Sequence, residues 1–138
     1  MAGKAGARVI VVDANAHIRR LIATLLATIG VQEVTEARTP AAAVPLMLRA
    51  PPDLVVLDWG GDPTDAVLFL HRLRRGELLS APVPVLALAA RSSPTAADEA
   101  RQAGVDGVVA KPLSALDLIH HASALLFPAA VASGLAAE

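Results

Sequence analysis

Four consecutive apolar residues, Leu54-Val55-Val56-Leu57, lie between Pro51-Pro52 and Gly60-Gly61, and the run ends in Asp58. Nothing in it alternates. A strand with no polar face must be covered on both sides, which is the condition inside a parallel sheet. Open parallel sheets bind ligands just beyond the carboxyl ends of their strands. Asp58 therefore stands where such a sheet does its chemistry.

The remainder of the chain repeats the arrangement. Arg8-Val9-Ile10-Val11-Val12 is a β-branched run ending at Asp13. Asn15 is placed to cap a helix over 16–29, whose apolar positions Ile18, Leu21, Ile22, Leu25, Leu26 and Ile29 recur at helical spacing; Gly30 stops it. A short second strand is expected around Val34. Thr39-Pro40 opens a helix to about Ala50, with Pro45 inside it. That proline removes a backbone donor, so a kink or a late start is expected.

Asp62-Pro63 reads as cap and first helical position of a helix running to about Gly76. Val85 to Leu88 reads as a fourth strand. Ser93-Pro94 is expected to cap a helix ending at Gly104. A fifth strand falls within 105–110, and Ser114 to Asp117 opens a last helix to about Phe127. Strand and helix alternate five times with short connections, which predicts an α/β fold: a doubly wound, five-stranded parallel sheet with helices on both faces. Residues 1–7 read as a flexible lead, 8–127 as one domain and 128–138 as an Ala-rich tail.

Composition narrows the function. Only 2% of residues are aromatic and the formal net charge is -1, so neither base stacking nor a basic field favours nucleic acid as a partner. There is no cysteine, which excludes disulfides, thiol catalysis and thiolate metal sites and suits a cytoplasmic protein. No apolar run reaches membrane-spanning length, and the start lacks the core of a signal peptide. The four histidines show no metal-ligand spacing. Arg49, Arg72, Arg74 and Arg75 read as a solvated helical face more readily than as a basic patch. Trp59 reads as a partly exposed loop aromatic that could anchor a partner.

The segments VVDAN, VVLDW, PVLALAA and AGVDGVVAKPLSALDL, in this order, resemble the receiver domain of two-component response regulators, with a fold of flavodoxin type. The resemblance covers about Arg8 to Phe127. It implies that Asp58 is the acceptor of a phosphoryl group from a histidine kinase or phosphotransfer protein. It implies that Lys111 neutralises that group, and that Asp13, Asp58 and the carbonyl of Gly60 face a magnesium ion. Apart from self-catalysed phosphoryl transfer and dephosphorylation, no enzymatic activity is implied.

Three positions depart from that family's pattern. The second acid of the metal-binding pair is Ala14, the hydroxyl ending the fourth strand is Ala89, and the fifth-strand aromatic is Val108. Losing one charged oxygen ligand costs about 1.5–3 kcal/mol, so magnesium is expected to bind weakly or not at all. Asp62 could replace the missing acid, although helix capping already explains it. Without a hydroxyl, the differential contact that couples phosphorylation to shape is missing.

Three functions compete. The first is a stand-alone receiver with an impaired site that signals to a downstream protein. The second is a phosphorylation-independent pseudo-receiver that binds partners through its fourth helix, fifth strand and fifth helix. The third is a binder of a nucleotide or cyclic dinucleotide, disfavoured because Asp13-Ala14-Asn15 stands where a Gly-rich phosphate loop belongs. Leu116, Leu118, Ile119, Leu125 and Leu126 are expected to leave apolar surface on the last helix, with room for a dimer.

Overall fold

The computed structural model describes residues 6–60 and 63–128. Its elements alternate throughout: β1 (Arg8–Val12), α1 (Ala16–Ala27), β2 (Glu33–Ala37), α2 (Pro40–Arg49), β3 (Leu54–Asp58), α3 (Thr64–Arg74), β4 (Val85–Ala90), α4 (Ala96–Ala103), β5 (Gly107–Lys111) and α5 (Ala115–Leu126). The five strands form one sheet in the order β2-β1-β3-β4-β5. Every pairing is parallel. The order reverses between β1 and β3, and at such a switch point the loops diverge and leave a crevice. Asp13 directly follows one of the two strands that flank it, and Asp58 ends the other.

The unbroken apolar runs follow from covering on both faces. Successive strand residues point to opposite sides, so Val9, Val11, Leu54 and Val56 pack with Ile22 and Leu26 of α1 and Leu118, Ala122 and Leu126 of α5. Ile10, Val12, Val55 and Leu57 pack on the other face with Ala43 and Met47 of α2, Phe69 and Leu70 of α3, and Ala100 of α4. Truncating one of these fully buried side chains to alanine typically costs about 2–5 kcal/mol.

The helix boundaries show which local signals govern. Asn15 caps α1 by accepting from the backbone N–H groups of His17 and Ile18. Thr39 caps α2 by accepting from Ala42 N–H, and Ser114 caps α5 by accepting from Asp117 N–H. α2 does not begin late: it runs unbroken from Pro40 through Pro45. The carbonyl left without a donor by Pro45 is that of Ala41, and both residues are exposed, so water can satisfy it. α4 starts at Ala96, later than Ser93-Pro94 indicates, with Thr95 at its cap position and no side-chain capping bond. At its other end Gly104 adopts φ 105°, the left-handed conformation glycine tolerates. The cap expected from Asp62 lies outside the described residues, as does the tail 129–138; α3 begins after Pro63.

Two expectations of exposure fail. Trp59 is only 3% exposed and belongs to the core layer under α3 and α4. On α5, Leu118 and Leu126 face the sheet and are buried, and Ile119 and Leu125 are half-buried; only Leu116, at 79%, is freely exposed. The arginine face is also not uniformly solvated. Arg74 donates to the carbonyls of Val83 (2.8 Å) and Gly104 (3.0 Å) and to Asp106 Oδ2 (2.6 Å). Asp106 in turn accepts from Val85 N–H at 2.7 Å, so the pair ties α3 to the amino ends of β4 and β5. No helix among the described residues is long and apolar enough to cross a membrane.

Candidate functional site

Three charged side chains from distant segments meet at the carboxyl edge of the sheet. Asp13 follows β1, Asp58 ends β3 and Lys111 ends β5. Lys111 Nζ donates to Asp13 Oδ2 at 2.6 Å and to Asp58 Oδ1 at 3.0 Å. The sequence places all three at this rim, and the structure brings them into direct contact.

Each is held by its own framework. Asp13 is 3% exposed, the one buried charged residue of the described chain. Its Oδ1 accepts from Asn15 N–H at 2.8 Å, which fixes the turn into α1. Arg19 supports the same turn, donating to the Asp13 carbonyl at 2.7 Å and to Glu36 at 2.9 Å. Sequence reasoning misses this role of Arg19, because it depends on β2 lying beside β1. Asp58 is about a quarter exposed, with its side chain open to the crevice. Gly60 passes so close that a Cβ there would stand 3.2 Å from Asp58 Oδ1, so the glycine keeps the carboxylate accessible. Lys111 precedes a cis peptide to Pro112.

Electrostatics keep Lys111 charged. Its partial burial alone would lower its pKa, but the hydrogen bonds and charges of Asp13 and Asp58 outweigh that, and the net shift is upward. The ammonium therefore stays protonated at neutral pH, with one proton to offer a further acceptor besides the two it spends on carboxylates.

Beside Asp58 lies an open cleft of about 130 Å³, lined by Val12, Asp13, Ala14, Arg38, Asp58 and Gly60 and flanked by Asp65. Magnesium requires a near-octahedral set of hard oxygens. Here Ala14 presents a methyl group, and Asp13 and Asp58 both already accept from Lys111. Among the described residues no group of three or more His, Asp or Glu side chains is placed to hold a metal. The donor set does not fit the ion. Asp62, the other candidate ligand, lies outside the described residues.

The two positions that would relay a change at Asp58 are apolar. Ala89, near the end of β4, is buried in the layer that contains Trp59. Val108 on β5 is partly buried against that layer. A second, larger cleft of about 470 Å³ lies between Trp59, Pro63, Ser92, Ser93, Ala96 and Glu99. The Trp59 indole N–H is buried and without a hydrogen-bond partner among the described residues.

A parallel 2-1-3-4-5 sheet carrying an acid-acid-lysine cluster at its switch point defines a signalling receiver, and comparison with known proteins agrees. The response regulator receiver domain family matches residues 9–123, and the chain belongs to that family. It is similar to the chemotaxis protein CheY-3 of Vibrio cholerae, with 32% identity over 111 residues that cover 80% of this chain and 85% of that protein. It is 31% identical to the phosphate regulon transcriptional regulatory protein PhoB of Pseudomonas aeruginosa, across 88% of this chain but only 52% of that longer protein. The receiver domain of the Francisella response regulator 1452 superposes with a TM-score of 0.74 at 27% identity, covering 89% of this chain and 98% of that one.

Proposed function

We propose that this receiver domain accepts a phosphoryl group on Asp58 from the phosphohistidine of a kinase or phosphotransfer protein, and that it does so at an impaired metal site. The observation that carries the reading is the paired contact of Lys111 with Asp58 and Asp13. A carboxylate held beside a permanent ammonium, open to a cleft and spared crowding by Gly60, has the access and the charge compensation that phosphoryl transfer requires. Output then passes to a downstream protein in the cytoplasm, and the phosphoryl chemistry is the domain's only catalysis.

Incubation with acetyl phosphate followed by intact-mass measurement tests this. The expected result is a single phosphoryl adduct, sensitive to hydroxylamine and lost in Asp58→Ala. An unmodified mass after prolonged incubation counts against the reading.

A second reading has its own support. Ala14, Ala89 and Val108 remove the acid, the hydroxyl and the aromatic through which phosphorylation would change shape. A phosphorylation-independent interaction module needs none of them. Partner binding unchanged by Asp58→Ala would favour it. A nucleotide or cyclic dinucleotide is less well supported, because Asp13-Ala14-Asn15 stands where a Gly-rich phosphate loop belongs.

A further inference from the structure

We propose that Arg38 supplies the positive charge at this site in place of a divalent ion, so that Asp58 takes a phosphoryl group without metal. This rests on the reading of Asp58 as acceptor and adds how the charge of that group is met.

Arg38 is brought to the cleft by sheet register. Ala37 pairs with Val12 across β2 and β1, and the backbone N–H of Asp13 donates to the Ala37 carbonyl at 3.0 Å. The next residue, Arg38, therefore follows β2 out of the sheet beside Asp13, and it lines the cleft with Asp13, Ala14, Asp58 and Gly60. The side chain is exposed, and no hydrogen bond or ion pair engages it among the described residues. Arg8, Arg19 and Arg74 show the contrast, each being tied to an acid. Arg38 thus lines the acceptor's cleft with its guanidinium unpaired among the described residues.

Chemistry assigns it a role. A carboxylate at position 14 would either bind a metal or neutralise this arginine; the methyl group of Ala14 does neither. With Lys111 on one side of Asp58 and Arg38 on the cleft, two cations stand against Asp13 and Asp58. Asp65, on the cleft wall, is the remaining acid, and it forms no ion pair with Arg38 among the described residues. The planar guanidinium matches phosphate oxygens in a bidentate fashion. Arginine stabilises the spreading charge of phosphoryl transfer in other protein classes. With acetyl phosphate as donor, a carboxylate oxygen of Asp58 forms the new bond to phosphorus. The bond from phosphorus to the acetyl oxygen breaks, and acetate leaves with the electron pair. No proton transfer or redox partner is needed.

The test follows adduct formation from acetyl phosphate by intact mass, in EDTA and in excess magnesium, for the wild type, Arg38→Ala, Arg38→Lys and the control Arg49→Ala. The expected result is wild-type labelling in EDTA at a rate within about twofold of that in magnesium. Arg38→Ala should be slower in EDTA by about tenfold or more, Arg38→Lys intermediate and Arg49→Ala unchanged. Wild-type labelling that requires magnesium, or Arg38→Ala labelling at the wild-type rate in EDTA, overturns the role of Arg38 and leaves Asp58 as acceptor. An absence of adduct in every condition overturns both.

Discussion

Lys111 is bound more closely to Asp13, at 2.6 Å, than to Asp58, at 3.0 Å. The inner acid anchors the ammonium, and the outer acid shares it with the cleft. The two carboxylates are therefore unequal. Asp13 is shielded from water and also fixes the turn into α1 through Asn15, whereas Asp58 is about a quarter exposed. Asp13→Asn should destabilise the domain by about 2–3 kcal/mol. Asp58→Asn should cost about 1 kcal/mol or less, because solvent screens its half of the arrangement. Urea denaturation of the two variants gives the comparison, and equal losses would contradict the anchoring role of Asp13.

The same cluster makes a pH prediction. Burial alone would lower the pKa of Lys111, but its hydrogen bonds to the two acids and their charges outweigh that, and the pKa is raised in the folded state. A raised lysine contributes stability that is complete below its unfolded pKa and is lost as pH rises through the folded one. The stability gap between wild type and Lys111→Met should therefore be flat from about pH 6 to about pH 9 and shrink only above the ordinary lysine range. Thermal melts across that range measure it. A gap that closes near neutrality would show that the ammonium does not hold its proton.

Restoring the missing acid should restore metal binding. Ala14→Asp returns a carboxylate to the rim of the cleft, next to Asp13. A charged ligand worth about 1.5–3 kcal/mol predicts roughly a ten- to hundredfold gain in magnesium affinity. Titration calorimetry on the variant and the wild type reads it directly.

Trp59 offers a built-in probe. It is the only tryptophan, it follows Asp58 directly, and it is buried. Its emission should be blue-shifted in the folded protein and should change when Asp58 is modified. Its N–H makes no hydrogen bond among the described residues. Trp59→Phe should therefore cost little beyond packing, about 1–2 kcal/mol, against about 3–5 kcal/mol for Trp59→Ala. Denaturant midpoints of the two variants test the distinction.

At the opposite end of the sheet, Arg74→Ala removes the bonds to Val83, Gly104 and Asp106 together. A partly exposed cluster of this kind predicts a loss of about 1.5–3 kcal/mol. Arg74→Lys should recover little of it, since an ammonium lacks the fork that reaches three acceptors. Urea midpoints of both variants check this, with no change expected in labelling of Asp58.

The sheet was legible because β3 and β1 are apolar on both faces, a pattern that few other folds tolerate. The cluster was legible because each of its members ends a strand or follows one directly. Cap signals were less dependable. Ser93 resembles a cap, but the chain turns on backbone bonds before α4 begins at Ala96. Trp59 read as a loop residue because glycines follow it, yet packing under α3 and α4 decides its burial. Arg38 carried no signal of its own. Its position depends on β2 pairing with β1, and residue spacing along one strand does not reveal which strand lies alongside.

Ala89 has one further consequence. Its methyl group is buried in the layer that includes residues of α4, so residue 89 has no side-chain oxygen to draw toward a group on Asp58. A phosphoryl group adds roughly 1.5 to 2 negative charges, here with no hydroxyl at residue 89 to move toward it. A listener would then sense the altered potential at the rim, and a contour change would be no part of the message. Such recognition fades as ions crowd within a Debye length of about 10 Å at 0.1 M salt, so its reach would depend on the ionic medium.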